Sequence, residues 1–284
     1  MTIKRVGIVG SGIMGSGIAE VAAKAGIEVV LRSRAQASAE AMVAGLEKSL
    51  AKQVDKGRLD AGERDGALAR VRAVTDLAEL ADCDLVIESV IEDLETKREL
   101  FGEFDRICGD STILATNTST LPVVEMAMCT GHPEKVCGIH FFNPAPMMPL
   151  VEIVRAITTS DDTMSEAREF AESCGKNPVE VRDQAGFIVN ALLFPYLNNA
   201  VKLYDAGVAS RDDIDAAMKG GCNFPMGPLE LLDLVGLDTS LAILEALHAE
   251  FNKPDDAPAP LLRRMVSAER LGRKTGQGFY DYRK

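Results

Sequence analysis

His140 and Glu152 are the residues of this chain best suited to acid–base work. His140 ends a β-type run, Val136–Ile139, and Glu152 lies in the middle of a second apolar run, Leu150–Val154. Between them Asn143-Pro144-Ala145-Pro146 interrupts any regular element, because prolines punctuate secondary structure. If the two runs are neighbouring strands ending at one rim, the side chains meet across the loop. A carboxylate that accepts the far N–H of an imidazole fixes its tautomer and raises its basicity, which makes the histidine a proton shuttle.

The opening of the chain supplies an electron carrier for such a shuttle. Lys4–Val9 reads as a buried strand, and Gly10-Ser-Gly12-Ile13-Met14-Gly15 follows it. A helical pattern through Ile18, Val21, Ala22 and Ala25 comes next, and then a second strand, Ile27–Leu31. Strand, G-x-G-x-x-G, helix and strand within about thirty residues form the dinucleotide-binding unit. Gly10 makes the tight turn, Gly12 lets a pyrophosphate approach the helix N-terminus, and Gly15 lets the helix pack on the strand. The second strand leads into Arg32-Ser33-Arg34, where a carboxylate would serve the ribose hydroxyls of NAD. A carboxylate about 4 Å from a 2′-phosphate costs about 4 kcal/mol at an effective dielectric of about 20. A hydroxyl and two guanidiniums in its place favour NADP(H). The alternative is NAD(H), with Arg32 turned away on the strand face and Ser33 on the ribose.

Other polar groups fall where a parallel sheet presents its ligands. Asp84–Val90 is a buried strand, with Glu92 and Lys97 at and just beyond its carboxyl end. Ser111–Thr116 is the next, and Asn117-Thr118-Ser119-Thr120 follows directly; these groups can hold a substrate oxygen or the nicotinamide, or cap the following helix. Ala35–Arg72 reads as two charged helices joined near Lys56-Gly57-Arg58, with Lys48, Lys52, Lys56 and Arg58 able to grip a phosphorylated ligand. A helix through Met164–Ser173 and a strand, Pro178–Val181, complete the first domain, residues 1–182. Asp183-Gln184-Ala185-Gly186 marks the boundary, and residues 183–284 show helical spacing. There Phe187–Tyr204 is apolar on several faces, which implies burial on several sides and hence a homodimer. Pro195 should kink or break it, and Asn190 inside it needs a hydrogen-bonding task.

With 284 residues, 46% hydrophobic and 26% charged, the chain has the balance of a globular protein with a sizeable core. A formal net charge of −12 argues against nucleic acid or an anionic membrane as partner. No apolar run is long enough to span a bilayer. The glycine-interrupted start does not read as a signal peptide. The six cysteines are scattered without metal spacing, so no metal is expected and a reduced, cytoplasmic chain is the plain reading.

Seven blocks occur in the order and spacing of the L-3-hydroxyacyl-CoA dehydrogenases: GSGIMGSGIAEVAAKAG, DLVIESVIED, NTSTL, HFFNPAPMMPLVEIV, GFIVNALLFPYLNNA, PMGPLELLDLVGLD and LGRKTGQGFYDY. The chain resembles this family over nearly its whole length, most of all its short bacterial 3-hydroxybutyryl-CoA members. The resemblance implies an α/β Rossmann-type domain with a mostly parallel sheet, then a smaller all-helical domain that dimerises and closes the active site. It implies His140 as general base, Glu152 orienting it, Ser119 on the substrate oxygen near the nicotinamide, and Asn190 on the substrate carbonyl. Asn143, Glu92, Lys97 and Lys274 match positions that touch the nucleotide, and Ser49 and Lys56 match positions that contact coenzyme A. The expected reaction interconverts (3S)-3-hydroxyacyl-CoA and 3-ketoacyl-CoA. A carrier-protein-bound substrate, or a silent dinucleotide-binding homologue, are the alternatives. Two departures stand out: Ser33 replaces the usual acid, and Met147-Met148-Pro149 stands where a lysine often precedes the glutamate's strand.

Overall fold

The computed structural model describes residues 3–283, which divide into two compact units, one up to Asp183 and one from Gln184. The first is an eight-stranded sheet. Its strands are β1 (Arg5–Val9), β2 (Glu28–Arg32), β3 (Val71–Val74), β4 (Leu85–Glu88), β5 (Ile113–Thr116), β6 (Val136–Phe141), β7 (Leu150–Arg155) and β8 (Asn177–Arg182). They lie in the order β3-β2-β1-β4-β5-β6-β7-β8, and every neighbouring pair is parallel except β6 and β7. From β1 the chain winds outward through β2 and β3, then returns to lie on the other side of β1 as β4. Crossovers on opposite sides leave a crevice at the carboxyl ends of β1 and β4, where ligands bind in open α/β sheets.

The helices of this unit are α1 (Ile13–Lys24), α2 (Gln36–Asp55), α3 (Ala61–Ala69), α4 (Leu94–Ile107), α5 (Val123–Ala127) and α6 (Asp161–Ser173). Central strands are apolar on both faces, as β4 (LVIE) and β6 (VCGIHF) show; all of their residues are buried. One core cluster joins Ile8, Leu31, Leu46, Ile87, Ile139 and Phe170. Helix starts are marked by side-chain caps: Asp60 forms a reciprocal pair with Glu63 at α3, Asp93 accepts from the Thr96 amide at α4, and Ser160 from that of Thr163 at α6. Asp183 accepts from the Val123 and Val124 amides at the start of α5. α1 starts at Gly12 with no side-chain cap and no acid in its first turn, and α2 likewise starts uncapped at Ala35.

β3 was not expected. Its sequence, VRAV, is short and only half buried, and it follows α3 after one residue, so by pattern it reads as the helix's tail. It adds an edge strand beside β2.

The second unit is helical: α7 (Val189–Asp205), α8 (Arg211–Cys222), α9 (Pro228–Val235), α10 (Leu237–Phe251) and α11 (Pro260–Ser267). Pro195 lies inside α7, which continues through it without a break. Its core joins Phe194, Leu197, Leu229, Leu244, Leu262 and Phe279. Asn198 is fully buried, donating to the Ala257 carbonyl at 2.9 Å and accepting from the Ala259 amide at 2.8 Å. Among the described residues, no helix is long and apolar enough to cross a membrane.

Candidate active site

The β6–β7 ladder sets His140 directly opposite Glu152. Opposed residues of antiparallel strands project to the same face with Cβ atoms about 5 Å apart. The two therefore meet inside the sheet, one rung of the ladder, rather than across the loop at its rim. His140 Nδ1 lies 2.8 Å from Glu152 Oε2, with His140 4% exposed and Glu152 0%. An ionised carboxylate only accepts, so it sets the imidazole proton on Nδ1 and leaves Nε2 as the nitrogen that gains and loses a proton. Nε2 is 3.1 Å from the Ser119 hydroxyl. The Phe142 ring packs against the imidazole, 4.6 Å between centroids, which further restricts its rotation. On the strand before His140, Gly138 is required by space: a Cβ there would lie 2.7 Å from that of Val154.

Ser119 is placed by main chain and by Glu92. Its amide donates to Glu92 Oε1 at 2.8 Å, the Thr118 hydroxyl donates to the same oxygen, and the Thr120 amide approaches it at 3.3 Å. Burial by itself would raise the Glu92 carboxyl; the Lys97 ammonium and the Thr118 and Ser119 donors outweigh it and hold the group below the ordinary carboxylate range. Asn117, expected at the cofactor, uses its side-chain carbonyl to accept from the Phe141 amide at 2.8 Å, tying the end of β5 to the strand of His140.

The glycine loop has the geometry its spacing implies. Gly10 has φ +139°, and a Cβ there would collide with the Ser89 carbonyl; one on Gly15 would collide with that of Gly10. A Cβ on Gly12 would meet nothing within 4 Å, so that side of the loop is open to a ligand. A cavity of about 590 Å³ is lined by Gly10, Gly12, Arg32, Ser33, Arg34 and Ile91, among others. Open backbone at Gly12 and first-turn amides of α1 that no side chain caps are what a pyrophosphate requires, so the residues present fit a dinucleotide. Arg32 also donates from Nε to the Thr75 carbonyl at 3.1 Å. Met14 turns instead into the core, and Ile13 stays on the surface.

Other expected positions are scattered. Lys97 is 1% exposed; its ammonium lies between Glu88 and Glu92, and neither Lys97 nor Glu92 lines the cavity. Asn143 is exposed just after β6. Ser49 lines a second cavity of about 510 Å³ with Ile13, Met42 and Pro144, its hydroxyl donating to Glu20 at 2.6 Å. Lys56, at the end of α2, does not line that cavity. In the second unit, Asn190 is buried in the first turn of α7, and Lys274 is ion-paired with Asp238.

Sequence reasoning passed over Glu88, Thr116 and Lys176. Glu88 carried a signal, a charge inside the apolar run DLVIESV that cannot be buried without a partner. Lys176 carried none: a lysine before a strand reads as surface. It is buried and donates to the Ala145 and Met148 carbonyls at 2.7 and 2.9 Å, fixing the loop that follows His140.

A histidine set to exchange protons, in a sheet whose first crossover is shaped for a dinucleotide, is the division of labour of a nicotinamide-dependent dehydrogenase. Residues 5–184 match the 3-hydroxyacyl-CoA dehydrogenase NAD binding domain and residues 186–282 the C-terminal domain of the same enzymes. The chain belongs to the 3-hydroxyacyl-CoA dehydrogenase family. It is 48% identical over 282 residues to 3-hydroxybutyryl-CoA dehydrogenase of Mycobacterium tuberculosis, covering 99% of each chain. Human mitochondrial hydroxyacyl-coenzyme A dehydrogenase is 42% identical over 288 residues, covering 99% of this chain and 92% of that one. The crystal structure of (S)-3-hydroxybutyryl-CoA dehydrogenase from Ralstonia eutropha superposes with a TM-score of 0.97 at 41% identity, over all of both chains.

Proposed function

We propose that this enzyme interconverts a short-chain (3S)-3-hydroxyacyl-CoA and its 3-ketoacyl-CoA, with His140 exchanging the proton at the substrate's 3-oxygen. The observation that carries this reading is the imidazole held at both nitrogens, by Glu152 at Nδ1 and Ser119 at Nε2. A bound nicotinamide supplies the hydride acceptor or donor. In oxidation Nε2 takes the hydroxyl proton, and Glu152 stabilises the imidazolium that results; in reduction the same nitrogen returns it. Ser119, beside Nε2, is suited to hold the 3-oxygen while the proton moves. Asn190 is assigned to the substrate on the family resemblance alone, and Asn190→Ala tests it.

For the cofactor we favour NADP(H). Ser33 and Arg34 line the nucleotide cavity in place of an acid. Burial first, and the neighbouring Arg34 charge second, pull the Arg32 guanidinium below its ordinary value; a bound phosphate would relieve the second effect. The enzyme is further proposed to work as a homodimer through the second unit, where Leu192 is 73% and Val208 68% exposed.

Steady-state reduction of acetoacetyl-CoA with NADPH and NADH in parallel tests the reaction and the cofactor together. The expected result is turnover with a kcat/KM preference for NADPH of about a hundredfold, or about 2.7 kcal/mol. Equal or better use of NADH keeps the reaction and discards the cofactor reading. No turnover with either nucleotide overturns the acyl-CoA reading and points to a carrier-bound substrate.

A further inference from the structure

Glu88 and Lys97 form a buried ion pair that no step above uses, with exposures of 0% and 1%. Lys97 Nζ donates to both Glu88 oxygens at 2.8 Å and lies 3.1 Å from Glu92 Oε2. Three carboxylate oxygens match the three donors of an ammonium. Glu88 is in turn held by the Val90 amide at 2.6 Å on one oxygen and the Thr116 hydroxyl at 2.7 Å on the other. Contacts therefore run from Glu88 on β4 to Lys97 on α4, then through Glu92 to the Ser119 amide, and from the Ser119 hydroxyl to His140 Nε2.

Stability alone is a weak reason for such a pair, because apolar residues of similar volume often replace buried ion pairs without loss. What the pair does well is fix position. Glu92 is half-exposed at the surface, yet it is pinned from inside by Lys97 on one oxygen while the other holds the 118–120 loop. We infer that Glu88 is a positioning residue: acting through Lys97 and Glu92, it sets the loop so that the Ser119 hydroxyl meets His140 Nε2. The inference rests on His140 and Ser119 carrying the proton transfer.

The test is a mutant cycle on the full-length enzyme with acetoacetyl-CoA as substrate. Glu88→Gln keeps the volume and an acceptor for the Val90 amide but leaves Lys97 only the Glu92 carboxylate. Its kcat should fall at least tenfold while the KM for acetoacetyl-CoA shifts less than threefold. The pH dependence of kcat should also move, because Nε2 loses its hydroxyl partner; a merely structural role would leave it in place. Lys97→Met should reproduce the loss, and the double variant Glu88→Gln/Lys97→Met should fall no further than the worse single, since both act along one route. Losses that multiply, or a folded Glu88→Gln enzyme within twofold of the parent kcat, overturn the inference. If Glu88→Gln does not fold, the neutral double variant is compared in the Ser119→Ala background, where it should cost less than threefold more; a further tenfold loss overturns it. His140→Gln, measured alongside, tests the proton-transfer reading itself, so its failure is seen separately.

Discussion

Each unit buries carboxylates, and two pairs of them, one from each unit, are used differently. In the sheet, Glu152 and Glu88 face groups that carry protons of their own, His140 and Lys97. In the helical unit, Asp215 and Asp233 accept from amides and phenols. Asp215 accepts from the Leu229 and Glu230 amides at 2.8 and 3.0 Å and from the Tyr280 hydroxyl at 2.8 Å. Asp233 accepts from the Phe279 and Tyr280 amides at 2.9 and 2.8 Å and from Tyr282 at 3.1 Å. A carboxylate against an imidazole fixes which nitrogen carries the proton; one against main-chain amides holds backbone in place. Burial and the carboxylate group are shared, so the partner decides whether a buried acid serves chemistry or scaffold. Glycines enforce the second arrangement: a Cβ on Gly227 would collide with Asp215, and one on Gly278 with Asp233.

The sharpest break of this contrast is His140→Gln, which should lower kcat by at least about a thousandfold. Nucleotide affinity by calorimetry and the melting temperature should stay near those of the parent. Glu152→Gln keeps the shape of the pair but removes its charge, and kcat should fall about a hundredfold, with the loss largest where the imidazolium must form. On the scaffold side the readouts exchange. Asp215→Asn should cost about 2–3 kcal/mol in urea unfolding, because two amides lose a charged acceptor, while kcat per folded molecule stays within threefold of the parent. An Asp215→Asn enzyme that keeps its stability but loses its rate would erase the distinction.

The smallest expected effect is in pH dependence, and its sign differs between the regions. The Glu92 carboxyl sits below its unfolded value, so its contribution is complete above that value and is lost as pH falls through the folded one. Asp233 is raised, burial being the largest cause, so acidification protonates it in the fold before it does in the unfolded chain. Its contribution therefore grows as pH falls through the raised value. Urea unfolding between about pH 6 and pH 3.5 should show a flatter acid decline for Glu92→Gln and a steeper one for Asp233→Asn. Matching slopes would show that neither group couples to folding as its surroundings imply.

What could be seen in the sequence was local. The glycine loop is a matter of a few adjacent residues, and its open and closed faces follow from their spacing. His140 and Glu152 could be paired because a strand, a break and a strand imply a ladder, although the rung itself was not visible. β3 was hidden because four residues at a sheet edge need no apolar run, and α11 because eight residues opening on Pro260 resemble a loop. The burial of Lys97 was hidden for a different reason. Its partner Glu88 is nine residues away on another element, and only tertiary structure turns an apparently available cation into a buried one.

Tyr280 serves both carboxylates of the helical unit, its amide on Asp233 and its hydroxyl on Asp215, across 47 and 65 residues of chain. A nascent chain halted before residue 279 has α8 and α9 complete but lacks the donors that Phe279, Tyr280 and Tyr282 bring to those acids. On the ribosome, then, this unit is expected to remain open until its last strap is translated, and to close late and all at once.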